Sequence, residues 1–468
     1  MRSIIDEILD KALSYVEKYS SYADYLDVRI QEGMSRNIQV ERGSVKSISS
    51  SGGVIIGVRA LISGSWGLSS TNNVNLMEDV FKDAISSAKA LSGRKKGDVG
   101  LSEEKVYRDR RRVDFKLGFD EASVEEKKKI LVDIDNAIRG YDSRIVDSRV
   151  MYIEASVVKA FISSEGASIV QEYPLSFIYA VAVAREGANV QRYFKVEGGL
   201  YGLELLMDLD YNEFSLYVAK NAVEMLGAVS PPTGELTVVM DGRVSGVFAH
   251  EVFGHACEAD NVLHGKSFLG KLLGEKIGSD VVSIVDDATV ERAYGSYFYD
   301  DEGIPAQRKV LLDRGVLKMF MHSRETAYRM GVNSTGNGRA MSPSHRTYVR
   351  MSNTFILPGD WSVEEIIEDT RDGVYVIGEM GGMEDPVGGG FQVAALKAYL
   401  IENGEATKLL KGVTISGKAL DILKRIDAVG KDFILDPGMC GKGYSSDMVP
   451  VTTGGPTVRV RGMMVGGA

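Results

Sequence analysis

Hydrophobic residues at the start of the chain follow first a helical period and then a period of two. Over residues 3–18 they recur every three or four positions on one stripe, which predicts an amphipathic helix. Over residues 25–58 hydrophobic and polar residues alternate, and glycine-containing turns separate the alternating runs. This arrangement predicts a meander of antiparallel strands after the first helix.

The same two periods alternate along the next part of the chain. Residues 76–92 and 123–139 have a helical period, residues 143–198 have the pattern of three or four longer strands, and residues 203–226 have that of one or two helices. Two prolines and a glycine then interrupt the pattern at residues 230–234, and we take this run as the domain boundary.

Beyond this boundary the chain is rich in glycine and its predicted strands are short. Residues 374–377, 396–401 and 457–460 have strand patterns, and glycines stand between them. Strands that glycine interrupts bend readily, so we expect a strongly bent or barrel-like sheet. The whole pattern predicts an α+β fold with two domains: helices and antiparallel strands over residues 1–229, and a glycine-rich β domain over residues 230–468.

Composition and charge narrow the class of protein. The formal net charge of −10 disfavours binding to duplex nucleic acid, which normally needs a basic face. No hydrophobic run approaches the roughly 18 residues of a membrane helix, and the N-terminal sequence lacks the pattern of a signal peptide. Two cysteines cannot form a disulfide framework. We therefore expect a cytoplasmic protein with no nucleic-acid and no membrane partner.

Candidate chemistry is concentrated in residues 245–260. This run contains two of the five histidines and one of the two cysteines of the chain. His250 and His255 are candidate metal ligands, and Glu251 is placed to accept a proton from a metal-bound water. This run has helical length and a hydrophobic character, so we expect it to carry the metal site on a helix of the C-terminal domain.

The spacing of the two histidines requires an irregular helix. Residues five apart lie roughly 140° apart around a regular α-helix, which would point the two imidazoles away from a shared ion. A kink or a π-type turn between them would remove this conflict, and Gly254 would permit such a distortion. The alternative is that the two histidines are ordinary structural groups.

A third metal ligand is expected because a catalytic zinc usually has three protein ligands and one open position. Spacing alone does not choose among the candidates, which are Cys257, Glu258, Asp260 and Cys440. Cys440 lies in a glycine-flanked loop that could bring its thiolate close to an ion. Its alternative role is that of a small buried hydrophobic residue.

Two further segments are candidates for substrate binding. Arg339 could clamp a carboxylate or a carbonyl group, although a surface arginine is the alternative. Gly388, Gly389 and Gly390 would allow an extended peptide to approach the backbone and pair as an added strand, and a flexible turn is the alternative. The remaining histidines stand alone in the sequence, and we expect structural roles for His264, His322 and His345.

Residues 250–260, HEVFGHACEAD, resemble the H-E-x-x-G-H-x-x-E-x-D signature of the TldD/PmbA metalloprotease family, specifically its TldD branch. Other segments agree with the family in the same order along the chain, including residues 300–305, 335–339, 398–404 and 439–442. The PmbA branch, also called TldE, lacks the H-E-x-x-x-H motif. The resemblance spans nearly the whole chain.

The resemblance implies a metallopeptidase with one zinc ion per subunit, held by His250, His255 and Cys440, and with Glu251 as general base. It also implies two α+β domains, a cleft for extended or unfolded peptides, and a homodimer or a heterodimer with a TldE-like subunit. The resulting hypothesis is a zinc-dependent peptidase. The alternatives are a non-catalytic scaffold or partner subunit with a structural metal, which Glu251 disfavours because a structural zinc needs no base, and a small-molecule amidohydrolase.

Overall fold

The computed structural model describes residues 4–92, 99–443 and 447–467. Its α-helices are α1 (Ile4–Tyr19), α2 (Met77–Leu91), α3 (Val124–Gly140), α4 (Glu204–Met207), α5 (Tyr211–Glu224), α6 (Gly242–Val247), α7 (Ala259–Leu263), α8 (Arg324–Met330), α9 (Val363–Glu368) and α10 (Ala419–Arg425). Among the described residues, no helix is both long enough and hydrophobic enough to cross a membrane.

The strands fall into an N-terminal and a C-terminal group. The N-terminal strands are β1 (Tyr25–Glu41), β2 (Ser44–Ile62), β3 (Ser65–Thr71), β4 (Arg108–Arg112), β5 (Ile145–Ser163), β6 (Ser168–Glu186) and β7 (Asn189–Gly199). The C-terminal strands are β8 (Gly234–Met240), β9 (Ile284–Asp287), β10 (Arg308–Asp313), β11 (Val316–Leu317), β12 (Gly338–Arg339), β13 (Tyr348–Val349), β14 (Asn353–Ile356), β15 (Asp372–Asp385), β16 (Gly390–Glu402), β17 (Glu405–Leu410), β18 (Val413–Lys418), β19 (Ile426–Val429), β20 (Ile434–Lys442), β21 (Asp447–Gly455) and β22 (Val458–Gly467).

One seven-stranded sheet organises the N-terminal half, in the order β3-β2-β1-β5-β6-β4 with β7 also paired to β6. β1, β2 and β3 are antiparallel neighbours, which confirms the predicted meander. The turns predicted at Gly33 and at Gly52-Gly53 are wrong, because these glycines pair with one another or with Met34 inside two long strands, and only the turn at Gly43 separates β1 from β2. The even-numbered residues of β1 point to one face of the sheet. On that face, residues near the start of β1 pack against α1 and α2, and residues near its end pack against α3 and α5. Two pairs of helices, α1 with α2 and α3 with α5, therefore lie side by side on one face of the sheet.

The opposite face of this sheet packs on the C-terminal half. The buried Arg29 guanidinium donates hydrogen bonds to the carbonyl oxygens of Pro343 and His345. A side chain at Gly57 would overlap the backbone of Pro343, so the two halves approach to direct backbone contact there. The predicted boundary at residues 230–234 lies between α5 and β8.

The C-terminal half contains a closed five-stranded β-barrel. The strand order is β15-β8-β22-β18-β16, and β16 pairs back with β15. The strands bend where glycine takes a left-handed conformation: Gly462, with φ 84°, lies at the register shift between Val460 and Met463 of β22. The prediction of an α+β fold with a strongly bent or barrel-like C-terminal sheet is therefore confirmed.

A second C-terminal sheet has six strands in the order β11-β10-β9-β14-β21-β20. The segment that begins with α6 passes between this sheet and the barrel, with β14 and β21 on one side and β15 and β16 on the other. Most of its side chains are hydrophobic and fully buried, as expected for a helix enclosed on both sides. This segment carries the predicted metal-binding motif.

Candidate metal centre

The motif segment changes helical type within a few residues. Asp241 caps α6 by accepting a hydrogen bond from the Val244 amide. The chain then forms a π-helix over Phe248–Gly254 and a 3₁₀-helix over His255–Cys257. A π-helix bonds each residue to the fifth one along, so the π-turn brings residues five apart to the same side. The predicted π-type distortion between the two histidines is confirmed.

Gly254 has a different role from the predicted one. Its φ of −60° and ψ of −50° are ordinary helical values that any residue adopts. A Cβ atom at this position would instead overlap the sulfur of Met351, which is fully buried. The prediction that the backbone freedom of Gly254 permits the distortion is therefore wrong, because its φ and ψ suit any residue. Glycine is required there because Met351 leaves no room for a side chain.

His250, His255 and Cys440 converge at the end of this segment. Each offers one ligand atom, and the three atoms lie within 4.8 Å of one another. The Cys440 Sγ is 3.6 Å from the His255 Nε2, and the two imidazole rings are nearly perpendicular with centroids 5.2 Å apart. All three side chains are buried. The π-turn and β20 thus bring together side chains from distant parts of the chain.

Two histidines set the ionisation of the cysteine. Burial by itself raises the pKa of the Cys440 thiol, but hydrogen bonds and positive charge from His250 and His255 outweigh it and lower that pKa to about 4. The Arg350 guanidinium, fully buried, donates to the Cys440 and Asp447 carbonyl oxygens and so holds β20 and β21 at this point. The thiolate form is the form that binds metals.

A buried carboxylate orients the second histidine. The His255 Nδ1 lies 3.1 Å from the Glu258 Oε2, so Nδ1 donates to this carboxylate and Nε2 is the nitrogen that faces Cys440. Burial raises the pKa of Glu258, but the charges of Lys442 and His255 outweigh this and lower it to about 2. Glu258 therefore remains a carboxylate that accepts hydrogen bonds.

Glu251 lies at the open side of the centre. Its Oε2 is 3.7 Å from the His255 Nε2, and its side chain is 29% exposed. Burial is the main cause of a raised pKa at this carboxyl. Glu251 and His250 both line a cavity of about 250 Å³, together with Arg243 and Glu379. Of the acidic residues in the motif, Glu251 is therefore the one that a molecule bound in this cavity would contact.

The other predicted third ligands have different surroundings. Cys257 belongs to the hydrophobic core, where burial raises the pKa of its thiol well above the usual value. Glu258 faces the far nitrogen of His255, and Asp260 accepts a hydrogen bond from Lys442. Of the four candidates, the structure places Cys440 with the two imidazoles.

This donor set fits a metal ion. The His250 Nδ1 is buried and has no hydrogen-bond partner within the described parts of the chain, although buried polar atoms normally have one. Two imidazoles and a thiolate form a borderline-soft set of the kind that zinc prefers, and three protein ligands leave one position open.

The predicted substrate-binding residues Arg339, Gly388, Gly389 and Gly390 do not line the cavity of Glu251 and His250. The Arg339 guanidinium is buried, donates to the Met351 and Pro450 carbonyl oxygens, and lies over the Tyr297 ring. Gly388 and Gly389 lie in the turn between β15 and β16, and Gly390 is the first residue of β16. The Gly389 amide donates to the Asp385 carbonyl oxygen, and the Gly389 carbonyl oxygen accepts from the Ala419 amide. The backbone of Gly389 is thus already paired within the chain.

Sequence reasoning missed Glu384, which the β15–β16 hairpin brings to the centre. Ligand atoms of Glu251, His255 and Glu384 lie within 4.8 Å of one another. No motif marks Glu384, because its position depends on the pairing of β15 with β16. The three other histidines make local contacts: His264 with the Asp260 carbonyl, His322 with Thr326, and His345 with Ser342 and Ser344.

Three models of PmbA/TldA metallopeptidase domains match consecutive parts of the chain. Domain 1 matches residues 26–92, the central domain residues 118–228 and the C-terminal domain residues 233–467. The chain belongs to the TldD/PmbA metallopeptidase family. The C-terminal match contains the whole candidate metal centre.

Named relatives extend this family likeness over nearly the whole chain. A metalloprotease of Methanocaldococcus jannaschii is 40% identical over 449 residues, which cover 96% of this chain and 98% of that protein. A zinc metalloprotease TldD homolog of Saccharolobus solfataricus is 28% identical over 457 residues, covering 97% and 99%. The crystal structure of TldE from Thermococcus kodakarensis shares the fold, with a TM-score of 0.79, 21% identity, and coverage of 97% and 100%.

Proposed function

We propose that this TldD/PmbA protein is a zinc-dependent peptidase of the H-E-x-x-x-H type that cleaves extended or unfolded peptides. The convergence of His250, His255 and Cys440 beside the Glu251 carboxylate carries the proposal. One zinc ion per subunit would be held by these three residues. A zinc ion bound there supplies Lewis acidity, which lowers the pKa of water and polarises a carbonyl group.

Glu251 is the proposed general base. It takes a proton on a carboxylate oxygen as water attacks the peptide carbonyl, and then delivers that proton to the leaving amine. Its position supports this role, because the carboxylate is partly exposed to the cavity and lies next to His255. A pKa raised by burial brings the carboxyl closer to the neutral range in which a group can both accept and release a proton.

The open edge of one strand supports an extended peptide as substrate. Cys440 lies on β20, which ends the six-stranded sheet and has no strand on its outer edge in that sheet among the described residues. A strand edge can pair with the backbone of an extended chain independently of its side chains. The substrate contacts predicted for Arg339, Gly388, Gly389 and Gly390 stay predictions.

The proposed assembly is a homodimer or a heterodimer with a TldE-like subunit. The shared fold with TldE of Thermococcus kodakarensis supports a partner of the same architecture. Size measurement of the purified chain, alone and mixed with a TldE-like protein, distinguishes the two assemblies. The cytoplasmic location stays a prediction.

Peptide digestion with and without a chelator tests the proposal. The zinc-loaded full chain, alone or with a TldE-like partner, should cleave an unfolded protein and a peptide library, and the chelator should abolish cleavage. Stoichiometric zinc without cleavage in either form would favour the scaffold alternative. Hydrolysis of small amides, without cleavage of peptides longer than a few residues, would favour the amidohydrolase.

A further inference from the structure

A lysine whose side chain is 13% exposed connects the two chain segments that provide the proposed metal ligands. The Lys442 Nζ donates to the Glu258 Oε2 at 2.8 Å, to the Asp260 Oδ1 at 2.7 Å and to the Val349 carbonyl oxygen at 2.9 Å. We infer that Lys442 is a positioning residue of the metal centre, which holds His255 through Glu258 and holds Cys440 through β20. This role rests on the proposed zinc site.

The first link runs from Lys442 through Glu258 to His255. The Glu258 Oε2 accepts from both the Lys442 ammonium and the His255 Nδ1, and also from the Asn261 side chain. A carboxylate that accepts from the outer nitrogen of a ligating histidine fixes its ring orientation and its tautomer. Lys442 therefore acts on His255 without touching it.

Glu258 depends on Lys442 because of its burial. Its side chain is fully buried, and its other oxygen, Oε1, has no hydrogen-bond partner within the described residues. A buried carboxylate without a paired cation is strongly unfavourable. Loss of the Lys442 ammonium would leave the Glu258 carboxylate beside that of Asp260 without the shared cation, so Glu258 would move away. This movement would weaken the hydrogen bond that orients His255.

The second link runs along β20. Lys442 and Cys440 are two residues apart on this strand, so their side chains point to the same face of the sheet. The contacts of Lys442 with Asp260 and Val349 attach this end of β20 to α7 and β13. The same lysine therefore sets the position of the thiolate relative to the imidazole, although the two ligands are far apart in the sequence.

Zinc affinity measures this role directly. We would titrate the zinc-free full chain with zinc against a competing chelator for the wild type, Lys442→Met, Lys442→Arg and Glu258→Gln. Changes next to metal ligands typically weaken metal binding by about 10–100-fold, and we expect this loss for Lys442→Met. Lys442→Arg keeps the charge with a different geometry and should lose less. The double variant Lys442→Met/Glu258→Gln should lose much less zinc affinity than the product of the two single fold-losses. The reason is that both residues act on His255 through the same hydrogen-bonded chain.

Lys127→Met is the matched control. Lys127 is a fully buried lysine that, like Lys442, donates to a carboxylate and to a backbone carbonyl: Glu154 and Phe119 in the N-terminal half. This variant should lose stability but bind zinc with wild-type affinity. The absorption spectrum of the cobalt-substituted protein supplies a second readout: the thiolate-to-cobalt band should shift in Lys442→Met and remain unchanged in Lys127→Met.

The outcomes separate this inference from the proposed function. A folded Lys442→Met protein with wild-type zinc affinity and an unchanged cobalt spectrum would overturn the positioning role and leave the zinc site intact. If Lys442→Met does not fold, Glu258→Gln decides, since wild-type affinity in that variant would also overturn it. A wild-type chain that binds no zinc would overturn the zinc site itself.

Discussion

The metal centre and the contact between the two halves of the chain both bury ionisable side chains, but they differ in how these are paired. At the contact, the Arg59 guanidinium donates to Asp27, Glu302 and Thr347, so every partner belongs to the chain. The Arg29 Nε and Nη1 at the contact and the His250 Nδ1 at the candidate metal centre have no partner among the described residues, but at the candidate centre the possible ligand atoms of His250, His255 and Cys440 also lie within 4.8 Å of one another.

The difference separates a structural cluster from a binding site. A buried charge is costly unless its partner lies beside it, so the two halves fit together in the arrangement that pairs these charges. Metal-ligand atoms that converge without hydrogen-bond partners of their own can bind a group from outside the chain, such as a metal ion. Changes at the contact should therefore affect stability, whereas changes at the centre should affect metal binding and activity.

The largest expected effect is on activity, in Glu251→Gln. Removing a general base typically lowers a rate by about 10²–10⁴-fold, and we expect a loss of this size in kcat for peptide cleavage. Zinc content should stay at one ion per chain, because Glu251 is not a proposed ligand. Normal cleavage by this variant would refute the general-base assignment.

Arg59→Met should have the largest effect on stability. Breaking a buried pair leaves Asp27 without its cation and typically costs about 3–5 kcal/mol, which denaturant unfolding would measure. Arg144→Met is the control, since Arg144 pairs with Asp142 at the surface and its loss should leave the free energy of unfolding nearly unchanged. Zinc affinity should be unchanged in both variants. A large loss of zinc affinity in Arg59→Met would show that the contact between the two halves also determines metal binding.

Removing zinc should lower the melting temperature of the wild type. At free zinc 100-fold above its dissociation constant, binding stabilises the folded state by about 2.7 kcal/mol. The melting temperature of His255→Gln should not rise when zinc is added. That of Arg59→Met should rise as much as in the wild type, from a lower zinc-free value. An equal increase in the His255→Gln protein would show that zinc binds elsewhere.

Gly254→Ala should have the smallest effect. Its Cβ would overlap the Met351 sulfur, and overpacking of this kind costs about 1–3 kcal/mol. The displaced π-turn should also weaken zinc binding, which the competition titration would detect. Gly140→Ala is the control, because no atom lies within 4 Å of the added Cβ. Unchanged stability and zinc affinity in Gly254→Ala would show that the Met351 contact is unimportant.

The local pattern of the chain predicted much of the fold. The first helix, the meander and the bent C-terminal sheet follow from periodicity and glycine placement, because each depends on residues close together in sequence. The π-turn was also predictable, since two histidines five apart cannot share an ion on a regular helix. The closure of the barrel was not, because the pairing of β15 with β16 and with β8 joins distant segments.

The sequence by itself determined that residues 245–260 carry candidate metal ligands on an irregular helix. Only the tertiary structure brought the Cys440 thiol to His255, turned Glu258 toward the far nitrogen of His255 and joined Lys442 to Glu258 and Asp260. Four acidic or thiol side chains were equivalent candidates for the third ligand when judged by spacing. The packing of β20 near the π-turn places Cys440, of these four, with the two imidazoles, because a metal site depends on distances between atoms and not on positions along a chain.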